Sequence, residues 1–307
     1  MKHYLITGLF VAGIASMAPA AGAAIVAGGD GTQNTTAAGT VVQFNNVGTL
    51  GVGSGIYLGD GVVLTAAHVG AGTIVIGGTP YTPVAGSDVR LVDPNDSQPT
   101  DLVLFRINPD AALTALPTLN IASSTPTVGT SVVLVGNGRN RNASETFYDV
   151  SGSDPNFTWT ELPDATGAER SGYKWASGNS IRWGNNVTEN ATLVGEPAGP
   201  TVEFNAGFGD IRSILTDFDN VLNEGQAANG DSGGAMFDAA GNLVGLMHSI
   251  DLFEDQPGET AIFGNVTYAA DLSHYRSQIV AYIPEPSSAG MLLLAACGAL
   301  AARRRRA

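Results

Sequence analysis

Short runs of apolar and β-branched residues, separated by glycine-rich turns, recur along most of this 307-residue chain. Such runs are typical of β-strands joined by tight connections. Many short strands at close spacing favour a sandwich or barrel architecture. One helix is predicted from about residue 270 to 282, where apolar side chains recur at helical spacing. The predicted strands are 41–44, 55–58, 62–65, 73–76, 102–107, 131–135, 234–237 and 243–248.

The first 24 residues have the pattern of a secretory signal peptide. Lys2 and His3 precede an apolar run over residues 4–15, and small residues follow up to Ala24. A charged start, a short apolar stretch and an Ala-x-Ala-like end are typical of such signals. A retained membrane anchor is the alternative, but the apolar run is short for a spanning helix. The sequence therefore predicts export and removal of residues 1–24.

The other end of the chain carries a second targeting pattern. Pro284-Glu285-Pro286 is followed by an apolar segment over residues 289–302 and by four arginines, 303–306. The alternative is a buried C-terminal helix, which four consecutive arginines disfavour; they favour a cytoplasmic position for that end. Residues 283–307 resemble the PEP-CTERM sorting tail of Gram-negative bacteria that make extracellular polysaccharide. The resemblance implies cleavage by a membrane-bound, exosortase-type sorting enzyme.

These two segments together predict where the protein works and what processes it. Signal peptidase and an exosortase-type enzyme are the expected processing partners, and the membrane is touched only through the tail before cleavage. The mature protein is expected in the periplasm, at the cell surface or in the extracellular matrix of a Gram-negative bacterium. Whether it is released or held at the surface stays open.

Composition limits what the region between the two segments can be. Cys297, the single cysteine, lies in the tail, so residues 25–282 can form no disulfide and must be held by their core. The formal net charge is −14, and five of the 14 basic residues lie in the two terminal segments. Such acidity argues against nucleic-acid binding. Residues 138–200 are rich in Asn, Gly, Ser and Thr, and we interpret them as an insertion of loops with at most a hairpin.

The strongest local motif is Asn229-Gly230-Asp231-Ser232-Gly233-Gly234. A serine hydroxyl becomes a nucleophile when a base removes its proton. Glycines beside it permit a close backbone approach, and two backbone N–H groups can then hold an oxyanion. An ordinary polar turn is the alternative interpretation of this motif.

Two further motifs supply a candidate base and a candidate acid. His68 follows a predicted strand and two alanines, which leave room around the ring, and imidazole titrates near neutral pH. Asp101 begins the apolar run 102–107, so its carboxylate needs a partner inside the protein. That partner is either a backbone N–H group or the Nδ1–H of His68. The order His, Asp, Ser is the one found in chymotrypsin.

Together these motifs resemble the trypsin-like and chymotrypsin-like serine peptidases over most of residues 25–282. The resemblance is carried by a strand–turn–strand leading to His68, the Asp101 segment, the Ser232 motif and two strands of the second half. It implies an all-β fold of two six-stranded antiparallel β-barrels with a C-terminal helix. The first barrel would span about 25–125 and the second about 126–282. The matching segments are 53–68, 101–104, 129–138, 230–234 and 241–246.

The resemblance also implies roles for individual residues in hydrolysing a protein or peptide substrate. Ser232 would attack the scissile carbonyl, His68 would transfer the proton, and Asp101 would orient His68. The backbone N–H groups of Gly230 and Ser232 would form the oxyanion hole. The segment 25–29 resembles a mature trypsin-like N-terminus, so a free amine at Ile25 would pair with Asp231. Signal cleavage after Ala24 would expose that amine, and cleavage after Ala23 fits the signal equally well.

The sequence departs from the family at the specificity pocket. Gln226 stands where cleavage after Lys or Arg needs a carboxylate, and Ile250 stands where a glycine would keep the pocket open. A narrowed pocket is expected. His248 either contacts an acidic substrate side chain or, the favoured alternative, is structural. No cofactor is predicted; the acidic residues Asp210, Asp217, Asp219 and Glu224 leave a structural Ca²⁺ as an alternative to a solvated acidic loop.

Two other functions remain in competition with an exported endopeptidase. One is a catalytically inactive surface or matrix binding protein on a peptidase fold, and the other is a structural matrix protein. Neither needs His68, Asp101 and Ser232 in this order, so the sequence favours the peptidase. The natural substrate and the cleavage specificity cannot be read from the sequence.

Overall fold

A computed structural model describes residues 24–37 and 43–283 of the chain. The predicted signal peptide up to Ala23 and the predicted sorting tail from Pro284 onward lie outside the described residues. None of the helices in the described part of the chain is long and apolar enough to cross a membrane.

The described residues are mostly β-strands, with two α-helices and two short 3-10 helices. The strands of the first half are β1 (Ile25–Val26), β2 (Val47–Leu50), β3 (Gly53–Gly59), β4 (Val62–Ala66), β5 (Ile74–Ile76), β6 (Thr79–Tyr81), β7 (Val89–Val92) and β8 (Pro99–Arg106). The second half continues with β9 (Ser131–Gly136), β10 (Arg139–Arg141), β11 (Thr146–Ser153), β12 (Asn156–Leu162), β13 (Arg170–Asn179), β14 (Arg182–Val187), β15 (Val202–Phe204), β16 (Ile211–Asp217), β17 (Gly225–Gln226), β18 (Ala235–Asp238), β19 (Leu243–Asp251), β20 (Thr260–Ile262) and β21 (Val266–Asp271). The α-helices are α1 (Ala111–Thr114) and α2 (Leu272–Tyr282), and the 3-10 helices are Phe44–Asn46 and Ala191–Val194.

Two seven-stranded antiparallel sheets form the framework of the protein. The first has the order β6-β5-β2-β3-β4-β8-β7, and the second has the order β14-β9-β18-β19-β21-β16-β15. The predicted all-β class, with two antiparallel halves and a C-terminal helix, is confirmed. Each sheet has seven strands rather than the six expected for each barrel.

One hydrophobic cluster joins the two sheets. Ile56 and Leu64 of the first sheet belong to the same buried cluster as Val135 and Leu246 of the second. All four side chains are fully removed from solvent, and burial of such residues is the main favourable contribution to folding. The shared core fixes the edge at which β4 and β8 meet the second sheet, and the candidate site lies there.

The segment 138–200 differs from its prediction as loops with at most a hairpin. Strands β10, β13, β11 and β12 form a separate sheet that β20 joins through β13, and β14 belongs to the second main sheet. In β12 the half-buried residues Phe157 and Trp159 alternate with exposed ones. The sequence lacks apolar runs here because only one face of each strand is covered, mainly by the aromatic cluster around Tyr148 and Phe253.

Two other boundaries differ from the predictions for local reasons. Helix α2 begins at Leu272 rather than near residue 270 because the Asp271 carboxylate accepts a hydrogen bond from the Ser273 N–H (3.1 Å) and caps it. The strand predicted over 41–44 falls partly outside the described residues. Its last residue, Phe44, begins a 3-10 helix whose Asn46 side chain donates to the carbonyl of Tyr57 (2.8 Å).

Candidate active site

His68 and Asp101 are brought together by two neighbouring strands of the first sheet. Strand β4 ends at Ala66, which lies opposite Leu102 of β8, so the residues after one strand and at the start of the other are adjacent. His68 Nδ1 lies 2.6 Å from Asp101 Oδ2, and the His68 backbone N–H donates to Asp101 Oδ1 at 2.8 Å. Because an ionised carboxylate only accepts hydrogen bonds, the ring proton is placed on Nδ1, which leaves Nε2 free to act as a base.

The burial of these two residues differs in a way that suits an acid–base pair. The Asp101 side chain is 3% exposed, whereas the His68 side chain is 22% exposed. The carboxylate is therefore shielded from water while the imidazole remains partly exposed to solvent. A buried carboxylate with two hydrogen bonds to one residue fixes both the position and the orientation of that residue.

Ser232 lies on a tight loop between β17 and β18. Gly230 has φ of 101° and Gly233 has φ of 85°, a backbone conformation that favours glycine. A Cβ atom at Gly233 would lie 2.1 Å from the carbonyl oxygen of Ser54. The glycines of the motif are thus required by backbone conformation and by close packing against β3.

Two N–H groups of this loop are free to bind an anion. The N–H groups of Asp231, Gly233 and Gly234 donate to backbone carbonyls at 2.7 to 3.0 Å. Within the described ranges 24–37 and 43–283, the N–H groups of Gly230 and Ser232 donate to no acceptor. They are the two N–H groups for which the sequence predicts an oxyanion hole, and unpaired N–H groups are what such a site requires.

Gly53 of β3 lies between the turn that carries His68 and the loop between β17 and β18 that carries Ser232, here called the serine loop. A Cβ atom there would lie 2.8 Å from Val69 Cγ2 and 3.0 Å from the Ser232 carbonyl oxygen. Val69, the residue after His68, and Ser232 therefore both lie beside Gly53. In the described part of the chain, the Ser232 hydroxyl and the His68 ring form no hydrogen bond with each other. In unliganded enzymes such bonds often form only when substrate is bound.

Asp231 is a fully buried carboxylate with one unpaired oxygen. Oδ2 accepts from the Ala228 N–H at 2.8 Å, while Oδ1 has no hydrogen-bond partner among the described residues. Burial raises the pKa of Asp231 to about 7. Ile25 is also fully buried; it lies opposite Gln226 in the β1–β17 pair and belongs to the same apolar cluster as Ala228. Ile25 and Asp231 thus both lie against the segment that leads into the serine loop.

The segment after Ile25 is held by side chains from the insertion 138–200. Arg141 Nε donates to the Val26 carbonyl at 2.7 Å, and its guanidinium stacks 3.8 Å from the centre of the Tyr173 ring. The Tyr173 hydroxyl accepts from the Gly28 N–H at 3.1 Å. Arg182 at the far end of the insertion binds the carbonyls of residues 31 and 33. This role of the insertion was not predicted, because its partners lie more than 100 residues away in the sequence.

The three residues predicted for the specificity pocket are placed as follows. Gln226 is buried, its amide nitrogen donates to the Val266 carbonyl at 3.3 Å, and its Oε1 atom has no partner in the described part of the chain. Ile250 is half-buried beside the apolar cluster that contains Ala227. Gln226 thus offers a neutral amide and Ile250 a β-branched side chain, and their place in a specificity pocket stays a prediction.

His248 is a buried histidine with both ring nitrogens engaged. Nε2 lies 2.9 Å from Ser213 Oγ, and Nδ1 lies 3.0 Å from Ser249 Oγ. Burial lowers the pKa of His248 to about 4. The ring is therefore neutral at neutral pH and already satisfied, which favours the structural alternative over contact with an acidic substrate.

Phe208 is a site residue that the sequence did not single out. Its ring centre lies 5.1 Å from that of His68, although 43% of the residue is exposed. The Phe208 carbonyl accepts from Arg90, whose Nε also donates to the Thr100 carbonyl at 2.7 Å. This loop of the second half therefore docks beside Asp101. An aromatic residue between two glycines was the only available signal.

The four acidic residues considered as a possible Ca²⁺ site lie in two separate places. Carboxylate oxygens of Asp217, Asp219 and Glu224 all lie within 4.8 Å of one another, whereas Asp210 accepts from the Asn205 amide at 2.8 Å elsewhere. Glu224 is buried, so it differs from the predicted solvated loop. Burial, followed by the neighbouring carboxylates, raises the pKa of Asp217 to about 6 and that of Glu224 to about 7. The carboxylates are of the donor class that Ca²⁺ uses, and that alternative stays open.

These two carboxyls predict a pH-dependent stability. Unfolded carboxyls titrate near pH 4, whereas Asp217 and Glu224 hold their protons to about pH 6 and 7. Unfolding therefore releases protons in this window, and raising the pH favours the unfolded state. We expect these two carboxyls to lower the free energy of unfolding by on the order of 2 kcal/mol between pH 5 and 8. Asp231 and His248 also change protonation on unfolding near this range, so the contribution is measured as a difference between the unsubstituted protein and a variant. Thermal unfolding measured across that range checks this.

The matched variants are Glu224→Gln and, at an exposed position, Glu169→Gln. The first should weaken the pH dependence and raise Tm at pH 8, because an amide loses no proton. The second should change neither. A pH dependence of Tm that is the same in the unsubstituted protein and in Glu224→Gln would contradict the prediction.

Comparison with known proteins gives the following matches. The family model described as Trypsin matches residues 26–154, less than half of the chain. Among solved structures, a mutant of human heparin binding protein (CAP37) is 16% identical with a TM-score of 0.51, covering 83% of this chain and 97% of its own. The inactive form of a serine-to-alanine mutant of Rv3671c from M. tuberculosis H37Rv is 16% identical with a TM-score of 0.44. The match covers 84% of this chain and 96% of the mutant's chain. The HtrA-type protease AlgW with a decapeptide is 18% identical with a TM-score of 0.40. The match covers 74% of this chain and 50% of the AlgW chain.

Of these three structures, only that of heparin binding protein exceeds a TM-score of 0.5, and at this identity the likeness shows the fold alone. No curated protein matches the chain. The family model, the two antiparallel sheets and the C-terminal helix agree with one another. The chain therefore has the fold of the trypsin-like S1 serine peptidases.

Proposed function

We propose that the chain is an exported serine endopeptidase that hydrolyses peptide bonds through His68, Asp101 and Ser232. The observation that carries this proposal is the hydrogen-bonded pair of His68 and buried Asp101, at 2.6 Å. It lies across Gly53 from a serine loop whose Gly230 and Ser232 N–H groups have no acceptor among the described residues. A base, its orienting acid, a nucleophile and an anion site in one cleft are the components of acyl transfer.

The proposed reaction proceeds in two halves. Ser232 Oγ attacks the scissile carbonyl carbon, and its proton passes to His68 Nε2. The carbonyl oxygen becomes an oxyanion that accepts hydrogen bonds from the N–H groups of Gly230 and Ser232. His68 then protonates the leaving amine, and an acyl-enzyme remains on Ser232. Water, deprotonated by His68, attacks the acyl-enzyme and releases the carboxylate product.

The proposed active form begins at Ile25, with its free amine paired to Asp231. Three observations support this ion pair. Ile25 is buried, β1 pairs with β17 beside the serine loop, and the Asp231 Oδ1 atom has no hydrogen-bond partner among the described residues. An ammonium group would neutralise a carboxylate that has no cationic partner in the described part of the chain. Signal peptidase, by cutting after Ala24, would also be the activating enzyme.

The proposed substrate is a protein or peptide outside the cytoplasm, cleaved at a residue other than Lys or Arg. Neutral Gln226 and the side chain of Ile250 support a narrowed, uncharged pocket. Export through the signal peptide, and sorting by an exosortase-type enzyme at residues 283–307, are parts of the same proposal.

The test is labelling of the exported full chain by a fluorophosphonate, which reacts with activated serines. We expect labelling of the unsubstituted protein and complete loss of labelling in Ser232→Ala. Ser123→Ala, at an exposed serine, is the matched control and should label normally. Folded protein that does not label would move the catalytically inactive binding protein to first place.

A further inference from the structure

Ser54 of β3 uses all of its polar atoms on the serine loop and its surroundings. Its N–H donates to the Ser232 carbonyl at 2.8 Å, and its hydroxyl donates to the Gly230 carbonyl at 2.7 Å. Its own carbonyl accepts from Thr65 Oγ1 at 2.7 Å and packs against Gly233. The side chain is completely buried, so it touches no substrate.

The Ser54 hydroxyl also links the loop to the end of β9. It accepts from the Asn137 N–H at 2.8 Å, and the Asn137 carbonyl accepts from the Asn179 amide at 3.0 Å. A Cβ atom at Gly230 would lie 2.4 Å from both the Asn137 oxygen and the Asn179 nitrogen. Gly230 is therefore confined between β3, β9 and the last residue of β13.

The neighbours of Gly230 must restrict its backbone, because glycine adopts a wider range of φ and ψ angles than any other residue. Its φ of 101° lies in a region that glycine reaches freely but shares with many other conformations. The direction of its N–H group therefore depends on what holds the peptide groups on either side. The Ser54 hydroxyl is the side-chain donor that binds the Gly230 carbonyl and fixes the following peptide group.

We propose that Ser54 is a positioning residue, whose hydroxyl holds Gly230 in the conformation that directs its N–H group at the substrate oxyanion. The inference rests on the proposed function. Without the hydroxyl, the peptide group after Gly230 is held only through the Asp231 N–H, which donates to the Ala228 carbonyl at 3.0 Å. The φ and ψ angles of Gly230 are then less restricted, so the Gly230 N–H, in the preceding peptide group, points at the oxyanion for a smaller part of the time. Substrate binding before the reaction is affected much less, because the oxyanion exists only in the transition state.

The test compares Ser54→Ala with Thr188→Val in the full chain after export. Thr188 is a matched control because its buried hydroxyl also bridges two backbone groups, the Thr127 carbonyl at 2.7 Å and the Thr130 N–H at 3.0 Å. Both variants should lower Tm. Only Ser54→Ala should lower kcat, by about 10- to 100-fold with KM changed less than about threefold, since loss of a whole oxyanion donor costs about 10²–10³-fold.

Two further measurements separate positioning from stability. Ser54→Thr keeps a hydroxyl and should recover most of kcat. Affinity for a peptide boronate, which forms a tetrahedral adduct on serine, should fall in Ser54→Ala in proportion to kcat. If Ser54→Ala keeps kcat within twofold well below its Tm, or if Thr188→Val loses as much kcat, the inference is overturned. If the unsubstituted protein neither labels nor hydrolyses, the proposed function itself has failed.

Discussion

Replacing Asp101 with asparagine is expected to lower kcat/KM for peptide hydrolysis by about 10⁴-fold, the loss that the same exchange causes in a chymotrypsin-like triad. The Asp101 carboxylate accepts from both the ring and the backbone N–H of His68. An asparagine can present its NH₂ group to Nδ1, which places the ring proton on Nε2. The imidazole then has no lone pair facing Ser232 and cannot act as the base.

The chain contains a matched control for this experiment. Asp93 Oδ2 lies 3.0 Å from His274 Nε2, and both side chains are largely buried, but this pair joins the end of β7 to helix α2 and includes none of the three candidate catalytic residues. Asp93→Asn should therefore lower stability while leaving kcat/KM within about threefold of the unsubstituted value, since it touches no catalytic group. The assignment of Asp101 fails if Asp101→Asn retains more than a tenth of the activity, or if both variants lose activity alike.

Much of the framework could be predicted from the sequence because the relevant patterns are local. Strands β3, β4, β8, β9, β18 and β19 are short apolar runs beside glycine turns, and burial on both faces preserves those runs. The Asp101–His68 contact could also be anticipated, because β4 and β8 are neighbours and each motif sits at a strand end.

The features that escaped prediction depend on contacts between residues far apart in the chain. Ser54 reaches Gly230 across 176 positions, and Arg141 reaches Val26 across 115. A buried serine in a strand and an arginine in a polar segment carry no local signal of such partners. The inserted sheet was missed for a related reason, since its half-buried strands alternate aromatic and polar residues instead of forming apolar runs.

The second large effect is expected at the N-terminus. Protein that begins at Ile25 should be at least about 10²- to 10³-fold more active than protein that begins at Ala24. This is the loss of kcat expected when one donor of the oxyanion hole is missing. The Asp231 carboxylate is fully buried, its Oδ1 atom has no partner among the described residues, and its pKa is raised to about 7. A charged amine on Ile25 would stabilise the ionised form and hold the serine loop in place.

The two proteins can be made by moving the signal cleavage site, and their first residues verified by N-terminal sequencing. The Ile25 form should also lose activity at alkaline pH, above the pKa of about 8 of a free α-amine, because pairing with the carboxylate raises the pKa of the amine. The Ala24 form should show no such loss, because its amine lies one residue away from the carboxylate.

Substitutions on either side of the proposed pair complete the argument. Asp231→Asn should reduce the Ile25 form to the activity of the Ala24 form, because a neutral amide cannot pair with the ammonium group. Ile25→Val should remain active, because a slightly smaller β-branched side chain still fills the cluster around Ala228. Equal activity of the Ile25 and Ala24 forms would show that the serine loop needs no terminal amine. Asp231 would then be a buried structural carboxyl, and export would be separate from activation.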